Sequence, residues 1–154
     1  VSATNRSPRP GETHGVNYYF LTDEEFRSAI AGDEFVEYEE VYPGRYYGTL
    51  KREVNRVVEE GHNVILDIDV KGGVNVKKLY GPEAISIFIA PPSVGALRAR
   101  LEGRGTETPD AIAQRVGRAE YELSFAPQFD RTVVNDDLPT AIAEVDGIIK
   151  GFIG

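Results

Sequence analysis

Six groups of residues have types and spacings that can do chemistry. The run Ser2–Gly11 (SATNRSPRPG) carries Arg6 and Arg9, three residues apart, on a loop stiffened by Pro8 and Pro10. Two guanidinium forks so placed can grip one phosphate, because each pairs two oxygens at once; the same run also suits a plain surface loop. Tyr18, Tyr46 and Tyr47 can each give a hydroxyl to a phosphate oxygen while the ring packs, or can simply be sheet aromatics. Glu37 and Asp67 are acceptor-only when ionised and suit a base with adjacent N–H donors, as guanine has at N1 and N2, although an acid in a strand often faces solvent. In Val64–Asp69 (VILDID), Asp67 and Asp69 end an apolar run, where acids either orient Mg²⁺ near phosphates or merely reach water. Arg100, Arg104 and Arg115 flank a Gly-bearing turn; such a group can neutralise a moving phosphoryl group, or be a solvated face. Asn135 and Asp136 follow a short apolar run, where an adenine or ribose could meet them.

These groups must be held by a folded chain, and the composition permits one. At roughly 150 residues per domain, 154 residues make one domain able to bury about 70% of its unfolded surface. Hydrophobic residues are 41% and charged residues 27%, the balance of a globular protein. Cysteine is absent, which excludes disulfides, thiolate zinc sites and a cysteine nucleophile. No apolar run is long enough to span a membrane, and Val1–Pro10 has no apolar core of a signal peptide. With 17 basic against 25 acidic residues, a net charge of −8 disfavours nucleic acid as a partner. The basic residues are 12 Arg and 5 Lys, and Arg suits bidentate phosphate recognition.

The patterns alternate strands and helices. Residues 1–15 read as a loop, and Val16–Leu21 (VNYYFL) as a strand. Thr22 with Glu25 forms a capping box for a helix Asp23–Ala31 that stops at Gly32. Phe35–Val41 reads as a strand, Tyr42–Gly48 as a turn, and Lys51–Glu60 as a helix from Val54, Val57 and Val58. Val64–Asp69 and Ile85–Ala90 read as buried parallel strands. Ser93 caps a helix through Glu102, Thr108 and Pro109 open one to Leu123, Thr132–Val134 is a short strand, and Pro139 opens a last helix. The expectation is an α/β fold with a largely parallel sheet, in which residues 16–49 form a small inserted lid.

Taken in order, SATNRSPRPGETHGVNYYF, FVEYEEV, YYGT, ILDIDVKG, FIAPPS, LEGRGTET and VVNDD resemble the guanylate kinases, most closely the bacterial ones, over nearly the whole chain. The resemblance implies a P-loop nucleoside-monophosphate-kinase-like fold in a single domain 1–154. In it, 16–49 is a mixed α/β GMP-binding lid and 50–154 the rest of the core, with an Arg-bearing lid at about 98–123. It implies a cytoplasmic enzyme that moves a phosphoryl group from ATP to GMP with Mg²⁺, without nucleic acid or membrane as partner. Ser2, Arg6, Arg9, Tyr18, Glu37, Tyr47, Thr49 and Asp67 would form the GMP site. Of these, Arg6, Arg9, Tyr18 and Tyr47 would hold the phosphate, and Ser2, Glu37, Thr49 and Asp67 would face the base. Arg104 and Arg115, supported by Arg100, would clamp the transferring group while Arg9 orients the acceptor. Asn135 and Asp136 would lie near the ATP adenine, and Asp67 and Asp69 near Mg²⁺ and its water shell.

The family also opens with a strand, a GxxxxGK[ST] loop and a helix. This sequence contains none of them, and Val70-Lys71-Gly72-Gly73 cannot stand in. The sequence therefore reads as an N-terminally truncated fragment that does not by itself transfer phosphoryl groups at a useful rate. Lesser departures are Ala3 and Asn5, where Ser or Thr is usual. The rival from another class is a non-catalytic guanylate-kinase-like module that binds GMP or a protein. Intact GMP-site and arginine positions weigh against it.

Overall fold

The computed structural model describes all 154 residues and divides the chain into two units, Val1–Gly81 and Pro82–Gly154. In the first unit a four-stranded mixed sheet runs in the order β2-β1-β4-β3. Its strands are β1 (Ala3–Thr4), β2 (Tyr19–Phe20), β3 (Phe35–Tyr42) and β4 (Arg45–Leu50). β1 is parallel to β2 and antiparallel to β4, and β4 is antiparallel to β3. One face is covered by α1 (Asp23–Ala31). The core there is Ala3, Phe26, Ala29, Phe35 and Leu50, with the Phe26 ring stacked between Phe35 and Tyr46 at 4.6 and 5.3 Å. Thr22 and Glu25 make the expected capping box, and Gly32 ends α1. α2 (Lys51–Glu59) follows β4 directly, and α3 (Val70–Tyr80) packs against β3.

The second unit pairs β5 (Ile87–Ala90) with β6 (Arg131–Val134) in parallel. Between them in sequence come α4 (Val94–Arg104) and α5 (Pro109–Leu123), which bury Leu101, Ile112 and Val116 against each other. Ser93, Thr108 and Asp137 cap α4, α5 and α6 (Leu138–Ile153) with side-chain acceptors. No helix is long and apolar enough to cross a membrane.

Several expectations are corrected. The parallel order appears in the β1–β2 and β5–β6 pairs, whereas the larger sheet is mixed. Residues 1–15 contain β1, and the strand expected over 16–21 shortens to β2 after a turn. The turn expected over 42–48 is only the link between β3 and β4, where Gly44 takes φ 77°. β4 itself carries Tyr46 and Tyr47. Val64–Asp69 is not a strand: no neighbour offers it a ladder, and Ile65 is 80% exposed. A run of β-formers becomes a strand only where backbone partners exist. α3 was not expected, since Gly72 and Gly73 weaken a helix by roughly 1 kcal/mol each; the Asp69 cap on Gly72 N and packing on β3 support it.

Gly48 is set by close approach. A Cβ there would lie 2.8 Å from the Glu37 carbonyl oxygen and from the Phe35 ring. Gly48→Ala is expected to destabilise the first unit by about 2 kcal/mol, the cost of overpacking a filled core. Urea unfolding compared with the parent chain checks this.

Candidate functional site

The face of the sheet turned away from the α1 core carries most of the candidate residues, and strand alternation selects what it shows. On β4, Tyr46 points to Phe26 and gives its hydroxyl to Glu40 at 2.6 Å. Its neighbour Tyr47 takes the opposite side and meets Tyr18 edge to face at 5.7 Å. Tyr46, a candidate by type, is thus a core aromatic.

On β3 the register shifts between Phe35 and Glu37. A bulge of this kind lets Phe35 and Val36 both be buried and turns Glu37 away from the Phe35 side. Glu37 pairs with Thr49 across the ladder and accepts the Thr49 hydroxyl proton on Oε1 at 2.8 Å. Burial pushes the Glu37 carboxyl above its ordinary range; the Thr49 bond opposes this, and the Asp69 carboxylate adds to it. Thr49 itself is buried, at 7% exposure.

A second cluster is built on the loop after β1. Arg6 lies over the rings of Tyr18 and Phe20, at 5.4 and 5.8 Å from their centres. It is held charged first by Glu12 and then by the Tyr47 hydroxyl. Glu12 belongs to this cluster, and the sequence reading missed it. It takes Nη1 and Nη2 of Arg6 at 2.8 and 3.0 Å and the Arg9 backbone N–H at 2.7 Å. Arg6 lowers the Glu12 carboxyl from 4.5 to about 2, aided by the Arg9 N–H. With a depressed folded value, the stabilisation from this pair is complete above about pH 4.5 and is lost as pH falls through about 2. The signal in the sequence was an acid three residues after Arg9 in a Pro- and Gly-bearing loop. Arg6 Nε stays buried with no partner.

Arg6, Tyr18 and Tyr47 are therefore brought together, as are Glu37 and Thr49. Ser2 and Arg9 are exposed at the edges of this arrangement: Ser2 precedes β1 and its backbone carbonyl accepts from Tyr19 N, and Arg9 follows Arg6 in the loop. Asp67 is exposed in the extended stretch before α3. Asp69 caps α3 through Oδ1 to Gly72 N at 2.9 Å. No cluster of three acids or histidines is present. Asp67 and the second oxygen of Asp69 nevertheless fit Mg²⁺, which keeps several waters and uses one or two carboxylates beside substrate phosphates.

The arginine group belongs to the second unit. Arg104 is exposed at the end of α4. Arg115 pairs with Glu107 at 3.0 Å. Arg100 gives Nη1 and Nη2 to the carbonyls of Asn135 and Asp136 at 2.9 and 3.1 Å. No hydrogen bond or ion pair joins the three to one another. Asn135 also borders a groove of about 330 Å³ lined by Ile89, Leu138, Ala141, Ile142, Val145, Asp146 and Ile149.

The first unit thus defines an α/β protein with an arginine–tyrosine cluster and a carboxylate–hydroxyl pair on its first sheet. Comparison with known proteins gives the family. The family model described as guanylate kinase matches residues 1–151. The chain is 58% identical to the guanylate kinase of Bacteroides thetaiotaomicron over 99% of this chain and 75% of that protein. It is 52% identical to that of Porphyromonas gingivalis over 99% and 81%. The crystal structure of guanylate kinase from Anaplasma phagocytophilum superposes with a TM-score of 0.69 at 30% identity, covering 98% of this chain and 73% of that one. This chain belongs to the guanylate kinase family.

Glu37→Gln tests the cost of burying this carboxylate. A raised folded pKa means that ionised Glu37 costs the fold stability above that value and costs nothing below about pH 4.5. The variant is expected to melt higher than the parent at neutral pH, with the gap closing as pH falls. Thermal melts over pH 4 to 8 read this, and a lower melting temperature at neutral pH would count against it.

Proposed function

We propose that this chain binds GMP on the free face of its first sheet and serves the reaction ATP + GMP ⇌ ADP + GDP. The observation that carries this reading is the placement of Tyr47 and Thr49 two residues apart on the same face of β4. They stand about 7 Å apart along the strand, so one nucleoside monophosphate can touch both. Tyr47 belongs to the Arg6–Tyr18 cluster, and Thr49 belongs to the Glu37 pair.

At the base end, Glu37 Oε2 accepts from guanine N1–H and the N2 amine. Thr49 has already given its proton to Glu37, so its hydroxyl oxygen is an acceptor as well. Ser2 and Asp67 complete that rim. Adenine presents a lone pair at N1 and no amine at C2, so it would leave these acceptors unpaired, which is the strong form of discrimination. At the other end, Arg6, Arg9, Tyr18 and Tyr47 hold the GMP phosphate, and Arg9 turns one of its oxygens toward the donor. That oxygen forms a bond to the γ-phosphorus of ATP as the bond to the β–γ bridging oxygen breaks, and ADP leaves.

Arg104 and Arg115 neutralise the moving phosphoryl group, and Arg115 must exchange Glu107 for it. Arg100 supports them from the turn at Asn135 and Asp136. That turn and the apolar groove beside it suit the adenine ring of ATP. Asp67 and Asp69 would hold Mg²⁺ through its water shell, and the ion supplies charge neutralisation on the donor phosphates. Residues 16–49 act as the GMP-binding lid and about 98–123 as the Arg-bearing lid of a single guanylate kinase-like domain 1–154. A cytoplasmic setting fits the cysteine-free sequence.

Calorimetric titration of the chain with GMP and with AMP tests the reading. GMP is expected to bind at least about a hundredfold more tightly than AMP. Glu37→Gln is expected to remove about tenfold or more of the GMP affinity, the scale of a hydrogen bond to a charged group. Equal affinity for the two nucleotides, or an unchanged variant, would overturn the assignment of the base end.

A further inference from the structure

We infer that Glu12 is a positioning residue that sets both phosphate-gripping arginines from a single carboxylate. The inference rests on the GMP reading above and adds a residue to it. Three contacts carry it. Glu12 Oε1 and Oε2 take the end of the Arg6 guanidinium at 2.8 and 3.0 Å, and Oε1 also takes the Arg9 backbone N–H at 2.7 Å. The Ser7 carbonyl accepts from Arg6 Nη1 at 3.0 Å.

These contacts fix a flat group in two directions. The fork with Glu12 sets the direction in which the guanidinium points, because two parallel N–H···O bonds allow one in-plane orientation. The rings of Tyr18 and Phe20 set its tilt. With Nη1 committed to Glu12 and Ser7, donor capacity remains at Nη2 and at Nε, and Nε is buried with no partner. An anion entering beside Tyr47 thus meets a guanidinium whose orientation is already fixed, so that little freedom is lost on binding. The third contact ties Arg9 to the same carboxylate, and the loop places the second arginine relative to the first. The pair is nearly shielded from water, with side-chain exposures of 13% for Arg6 and 18% for Glu12.

The opposite role is a competitor: a carboxylate that occupies the place of the phosphate and must be expelled. The two roles predict opposite signs. Glu12→Gln keeps an acceptor for the Arg9 N–H and loses half of the fork. A positioning role predicts that the variant binds GMP about tenfold more weakly. Guanosine, which has no phosphate, should bind with unchanged affinity, and the thermal melt at neutral pH should stay within a few degrees. Tighter GMP binding would make Glu12 a competitor and overturn the inference. Equal weakening of GMP and guanosine would make Glu12 a general structural residue and overturn it as well.

A second measurement needs no base recognition. In the parent chain, the ¹⁵N-labelled guanidinium signals of Arg6 are expected to shift on titration with inorganic phosphate, at concentrations at least about tenfold lower than in Glu12→Gln. A parent chain that responds to phosphate but does not separate GMP from AMP would sink the guanine reading and leave Glu12 in its role. Arg6 signals that ignore phosphate, or that respond alike in both proteins, would sink the role of Glu12 itself.

Discussion

Thr4 is where the core becomes the site. It is fully buried beside Ala3 in a two-residue strand that pairs on both sides, and the first unit's sheet is continuous only through it. A buried hydroxyl must find partners, and this one finds two. It gives its proton to the Tyr46 carbonyl at 2.8 Å and accepts the Arg6 backbone N–H at 3.2 Å. The next residue, Asn5, continues the link. Its amide nitrogen reaches Asp23 and the Gly44 carbonyl, and its oxygen accepts from Tyr46 N. The strand, the helix start and the hairpin turn are thus tied to the point where the Arg6 loop departs. The Asn5 amide thus supplies both donors and an acceptor to this junction.

From that junction outward, parity decides function. Neighbouring tyrosines on β4 do different work because successive side chains of a strand face opposite ways. Tyr46 stacks in the core and Tyr47 joins the arginine cluster. On β3 a single register shift allows Phe35 to fill the core and Glu37 to face away from it. The ring of Phe35 then occupies the space that a side chain at Gly48 would need. The selectivity proposed for the base end therefore depends on an irregularity in the ladder.

What could be read from the sequence follows from how local each signal is. Thr22 with Glu25, Ser93, and Thr108 with Pro109 each mark a helix start through contacts only three residues long, and α1, α4 and α5 begin there. Val64–Asp69 misleads because its apolar character is local while strand pairing is not. α3 was hidden by two glycines and a valine-rich run whose support comes from Asp69 and β3. The identities of the candidate site residues were visible through the family resemblance, but their pairings were not. Spacing put an acid three residues after Arg9, but no local pattern said that it holds Arg6, that Arg100 spends both terminal nitrogens on the carbonyls of Asn135 and Asp136, or that Arg115 rests on Glu107.

Those internal pairings bear on encounter rates. The sequence carries a net charge of −8, and two of its placed arginines already sit beside carboxylates. Long-range attraction of an anion depends on the summed field of the molecule, and here that field is unfavourable. A negatively charged ligand is not drawn in from a distance; it arrives by unassisted diffusion against a weak repulsion that added salt relieves. Its hold on the protein is then written in how slowly it leaves, through contacts felt only once it is seated.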